Sequence, residues 1–96
     1  MRPSQAFEQN RQLIREVAAD YPVANPRVFG SVLHGNDAEG SDIDIVIDAL
    51  PGLTLFDLGG LQSDLESALG VRVDVVTSEG LHRFIREKVL AEAQPI

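Results

Sequence analysis

Two aspartates, Asp42 and Asp44, stand inside the apolar run SDIDIVID. Aspartate is depleted in strands, and here it alternates with isoleucine. Successive side chains of a strand point to opposite faces. Asp42 and Asp44 therefore share one face, and Ile43, Ile45 and Ile47 share the other. Adjacent carboxylates repel each other unless a cation lies between them. Upstream, the short apolar stretch Arg27–Phe29 breaks into Gly30-Ser31, a turn able to hold phosphate. Hard oxygen ligands beside such a turn suggest a magnesium–nucleotide site.

A third carboxylate, Asp74, interrupts the valines of VRVDVV. A buried charge without a partner is costly. One explanation is an edge strand with Asp74 in solvent, or an ion pair with Arg72 or Arg27. The other is chemical. Three carboxylates on one sheet face can hold two divalent cations, which stabilises an in-line phosphoryl displacement. Asp42 and Asp44 would then hold the metal of a nucleoside triphosphate. All three would share a second metal, or Asp74 would act directly as base toward the acceptor hydroxyl. Gly30 lets the backbone approach the phosphates. Ser31, opening a short helix, offers a hydroxyl and N–H groups to them. Ser41 reads as a residue that closes the loop ahead of the strand.

These residues need elements to position them. Residues 4–19 read as one helix capped by Ser4, with Phe7, Leu13, Ile14, Val17 and Ala18 on one side. Tyr21-Pro22 ends it. Arg27–Phe29 is a short strand, and residues 31–37 a turn or two of helix closed by Gly35 or Asn36. Asp42–Ile47 is the second strand. Thr54–Leu69 is a helix with a Thr54/Asp57 capping box and a stripe of Leu58, Leu61, Leu65 and Leu69. Gly59-Gly60 predicts an irregular first turn, and Gly70 supplies the stop. Val71–Val76 is the third strand. Ser78 caps a last helix whose apolar positions are Leu81, Phe84, Ile85 and Val89. The short link between the first two strands favours an antiparallel pair, and the helical crossover to the third permits a parallel one. The expected fold class is α/β (α+β), a small mixed three-stranded sheet flanked by helices.

The composition narrows the function. The 96 residues make one domain, expected to run from 1 to 96. Apolar content of 44% and charged content of 24% are those of a globular protein. No stretch approaches the roughly 18 apolar residues of a membrane span, and the start has no secretion-signal pattern. With no cysteine, disulfides and thiolate zinc sites are excluded, which fits a cytoplasmic protein. The net charge of −7 disfavours independent binding of nucleic acid. Acids crowd between Asp37 and Asp48 (Asp37, Glu39, Asp42, Asp44, Asp48), whereas Arg72, Arg83, Arg86 and Lys88 fall near the end of the chain.

Gly30-Ser31, ten residues, then Asp42-Ile43-Asp44, with a lone Asp74 on a later strand, resembles the nucleotidyltransferase signature of the DNA polymerase β superfamily. The short chain most resembles its minimal nucleotidyltransferase (MNT) subfamily, over nearly its whole length. That resemblance implies a polymerase-β-like palm. Asp42, Asp44 and Asp74 would be catalytic metal ligands for Mg2+, with two ions, and Gly30 and Ser31 the nucleotide-binding pair. It further implies the antitoxin of a HEPN ribonuclease toxin, silencing it by transferring AMP from ATP to a tyrosine hydroxyl. The acidic balance of the chain suits a basic ribonuclease partner. One position departs from the pattern. His34 stands where such proteins often carry an arginine, so a permanently charged phosphate donor becomes a group mostly neutral at neutral pH. His34 is then either a triphosphate contact when protonated or a solvent-facing loop residue; His82 reads as surface.

Two readings follow. The first is an active transferase, favoured by the three intact acids. The second is a binding module that masks its partner's site with little or no catalysis, favoured by His34 and the small size. A drug- or tRNA-modifying enzyme is disfavoured, because no room remains for a second substrate domain. The last helix and the tail Gln94-Pro95-Ile96 are candidate partner surfaces.

Overall fold

Asn10 divides what the sequence reads as one leading helix. In the computed structural model, which describes residues 1–96, α1 spans Pro3–Gln9 and α2 spans Arg11–Ala18. The Asn10 side-chain amide donates to the Ala6 carbonyl (2.8 Å), while its backbone N–H turns to Phe7 O (3.2 Å). A side chain has replaced the helical backbone bond, and the helix breaks there. The cap of α1 also differs from expectation. Ser4 lies inside the helix, and its N–H donates to Asp37 Oδ2 (2.9 Å) from 33 positions away. Arg2 Nη2 donates to the Asp37 carbonyl (2.5 Å). Asp37 is thus buried as a helix cap, not part of a solvated acidic surface.

The sheet has four strands in the order β3-β2-β1-β4. β1 (Val23–Phe29) and β2 (Ile43–Ala49) are antiparallel, and β3 (Val73–Thr77) lies parallel to β2. β1 is longer than the expected Arg27–Phe29, because a bulge carries Asn25 (φ 53°) and Pro26 through the ladder. The fourth strand, β4 (Gln94–Pro95), was not expected. It pairs with Arg27 and Val28, and Ile96 N–H donates to Pro26 O. The tail is therefore part of the sheet, as an exposed edge strand.

Between β1 and β2 lies α3 (Gly30–His34), closed by Gly35 in the left-handed region. Between β2 and β3 runs α4 (Leu55–Leu69), opened by the expected box: Thr54 Oγ1 accepts from Asp57 N–H, and Asp57 Oδ2 accepts from Thr54 N–H. The Gly59-Gly60 pair does not disturb α4. A Cβ on Gly60 would stand 3.0 Å from the Tyr21 hydroxyl, so glycine there makes room for Tyr21 to donate to Asp64 (2.5 Å).

One face of the sheet holds the core. Val28, Ile43, Ile45, Ile47, Val73 and Val75 pack with Phe7, Ile14, Val32, Leu61, Leu65 and Leu69 from the helices. The other face carries Asp44, Val46 and Asp48 on β2. The last helix, α5 (Arg83–Glu92), has no buried residue. It starts four residues later than a Ser78 cap would allow, because Ser78 N–H extends the sheet by donating to Ile47 O (2.8 Å) and His82 takes the cap, its Nδ1 accepting from Phe84 N–H (3.2 Å). Phe84 and Ile85, apolar positions of this helix, are 78% and 49% exposed.

Candidate active site

Strand pairing sets the site. Phe29, the last residue of β1, lies opposite Asp44. The chain then turns at Gly30 into α3, which puts Gly30 against the Asp44 carboxylate. Gly30 has φ +75°, and a Cβ there would strike Asp44 Oδ2. Glycine is demanded twice, by the left-handed backbone and by the contact. Ser31 follows in the first turn of α3, half-buried.

Across the parallel ladder, Asp44 is in register with Asp74, and Ile43 with Val73. Residues in register on neighbouring strands project from the same face. Asp44 and Asp74 therefore face the same way, as the alternation predicts. Asp42, one residue before β2, stands beside Arg72, one residue before β3; Ile43 N–H donates to Arg72 O (2.9 Å). Asp74 is exposed on the edge strand and forms no ion pair: Arg72 is held by Asp42, and Arg27 by Asp48 (2.6 Å).

The electrostatics report crowding. Asp44 is half-buried, and its carboxyl is pushed up to about 6, first by desolvation, then by Asp74, then by Asp42. Arg72 Nε lies 3.1 Å from Asp42 Oδ1. That oxygen is nevertheless buried with no aligned hydrogen-bond donor. No three acidic or histidine side chains converge into a ready-made cage. Asp44 is brought to Asp74 and to Gly30, and Asp42 to Arg72. A hard, carboxylate-only donor set with one orphaned oxygen and one carboxyl burdened by its neighbours fits a divalent cation, which would relieve both. The molecule's larger concavity, about 510 Å3, includes Ser41 and Arg72 but none of the three aspartates. The carboxylates instead lie on the sheet face opposite the main core, where Asp44 is half-buried and Asp74 exposed.

His34 ends α3 and is exposed, with Nε2 3.2 Å from Glu92 Oε2 on α5. It is neither alone in solvent nor aimed at the aspartates. Ser41 Oγ accepts from Ala38 N–H (3.0 Å), closing the loop as expected. Arg72 was visible in the sequence only as a partner for Asp74. The signal for its place was its spacing, two residues before Asp74 and so on the same face.

Comparison with known proteins fits this arrangement. The nucleotidyltransferase domain family matches residues 10–96. Protein adenylyltransferase MntA of Thermococcus cleftensis is 36% identical over 78 residues, covering 81% of this chain and 79% of that protein. A solved structure of a candidate minimal nucleotidyltransferase superimposes with a TM-score of 0.87 at 39% identity, covering 97% of this chain and 95% of that one. A toxin–antitoxin crystal structure with AMP-PNP gives a TM-score of 0.78 at 26% identity, covering 90% of this chain and 71% of that one. The mixed sheet, the glycine turn against Asp44 and these likenesses agree: the chain belongs to the nucleotidyltransferase family of enzymes.

Proposed function

We propose that this enzyme, working as a single domain in the cytoplasm, transfers AMP from ATP to a tyrosine hydroxyl of a HEPN-type ribonuclease toxin and so acts as its antitoxin. Support comes from the relative named as a protein adenylyltransferase and from the toxin–antitoxin complex crystallised with AMP-PNP. The observation that carries the reading is the register of Asp44 with Asp74, next to a turn whose positive φ and close approach to Asp44 favour glycine.

Asp42 and Asp44, with Asp74, would hold Mg2+, which when bound supplies charge neutralisation to the triphosphate. Gly30 lets the backbone close on the phosphates, and Ser31 offers a hydroxyl donor beside it. Alternatively Asp74, which is exposed and without an ion pair, would accept the proton of the acceptor hydroxyl directly. The hydroxyl oxygen bonds to the α-phosphorus, the bond from that phosphorus to the bridging oxygen breaks, and pyrophosphate leaves. His34 would contact the outer phosphates only by giving up Glu92. That pairing favours the second reading, a module that masks its partner with weak catalysis.

The test is incubation with the product of the adjacent gene, Mg2+ and ATP labelled in the α-phosphate. Label on a toxin tyrosine, absent with Asp44→Asn, is the expected result. Tight binding without label would replace this reading with masking.

A further inference from the structure

Asp42 faces a choice of cations. Its Oδ1 is buried, lacks an aligned hydrogen-bond donor, and has the Arg72 Nε at 3.1 Å. The same guanidinium donates through Nη2 to the Gly40 carbonyl (2.6 Å), in the loop that leads into Asp42. Arg72 is thereby tied to the segment that delivers the first carboxylate. Its position is fixed by the ladder, since it precedes Val73, the partner of Ile43. The side chain is 72% exposed, so no packing holds it in place. A solvent-exposed ion pair contributes little by itself. This one differs in its setting, because the carboxylate it holds stands beside two more of the same sign.

We propose that Arg72 is a positioning residue that stands in for the divalent cation. With no ion bound, its guanidinium holds the Asp42 carboxylate; an arriving ion takes that carboxylate and displaces it. The inference rests on the reading that Asp42 and Asp44 are metal ligands. Two cations compete for one carboxylate, so Arg72 lowers the affinity of the bare site for metal. In exchange it keeps the trio compatible with a folded sheet when the site carries no ion. The site is then filled efficiently only when the metal arrives with the triphosphate, whose own oxygens complete its coordination.

The experiment uses the full chain and Mn2+ alone as probe, with free Mn2+ read by electron paramagnetic resonance. Melting temperatures are recorded with and without Mg2+. Arg72→Gln is expected to bind Mn2+ roughly three- to tenfold tighter, the size of one like charge removed from a partly exposed site. Its metal-free melting temperature falls and its Mg2+-induced rise grows. Arg72→Lys keeps the charge but loses the planar fork, and is expected to tighten binding roughly twofold. A purely structural arginine would give unchanged or weaker binding on replacement, and either result overturns the proposal. Should Arg72→Gln fail to fold by circular dichroism, Arg72→Lys decides in its place by the same criterion. Asp44→Asn separates the two levels. If neither the wild-type chain nor Arg72→Gln takes up more Mn2+ than this variant, the metal reading falls and takes Arg72 with it. If the wild type binds and the Arg72 variants match it, only the role of Arg72 falls.

Discussion

Gly30 concentrates the constraints of the site in one residue. Its φ of +75° is strained for any residue with a Cβ, and that Cβ would meet the Asp44 carboxylate. Gly30→Ala is expected to lower unfolding free energy by roughly 1–2 kcal/mol, the cost of a left-handed alanine. It should also abolish transfer, and Gly30→Val should remove ATP binding as well. Urea denaturation and ATP titration check both, and unchanged ATP affinity would remove Gly30 from the phosphate turn. Asp44 makes the opposite kind of prediction. Its carboxyl is burdened by burial and by two neighbours, so Asp44→Asn should leave the metal-free melting temperature unchanged or higher while transfer disappears. A metal-free variant that melts well below the wild type would show Asp44 to be a structural residue.

At the scale of elements, the arrangement was legible wherever side-chain alternation alone decides the outcome. Asp44 and Asp74 share a face because they are in register on neighbouring strands with a period of two, whereas Asp42 precedes β2 and lies outside the ladder; the antiparallel-then-parallel sheet follows from the link lengths. Features that depend on contacts distant in sequence were not legible. Asp37 looks like another surface acid, yet it caps α1 from 33 positions away. Asn10 breaks a helix that its neighbours would continue, and β4 is a two-residue strand ending in proline. In α5 the apolar spacing is real, but Phe84 and Ile85 point outward, and periodicity does not say what a stripe packs against. Thermal and chemical unfolding can separate these cases. Leu65→Ala, 1% exposed beneath the sheet, is expected to cost about 2–5 kcal/mol. Thr54→Ala removes the cap of α4 and costs about 1 kcal/mol. Phe84→Ser, in the same assay, stays within about 0.5 kcal/mol of wild type. A large loss there would mean that α5 packs more tightly than its exposure shows.

The molecule as a whole divides its labour between the two faces of one sheet. The apolar face packs the core, and the other face carries Asp44 and Asp48 on β2. In a chain of net charge −7 two acids are held by specific bonds, Asp37 and Asp48. The Ser4 N–H, with Arg2 adding its charge, keeps the Asp37 carboxyl below the usual carboxylate value, and Asn25, Ser78 and Arg27 do the same for Asp48. A carboxyl depressed in the folded chain stabilises it at every pH above the unfolded value of about 4. That contribution is lost as pH falls through the lower, folded value, when the fold must accept a proton it holds poorly. The melting temperature should therefore fall steeply below about pH 4. Asp37→Asn retains an acceptor for Ser4 but has no proton to gain. It should melt lower than wild type at neutral pH and converge on it in acid, whereas parallel pH curves for the two chains would mean that the Asp37 charge has no part in fastening α1 to the sheet.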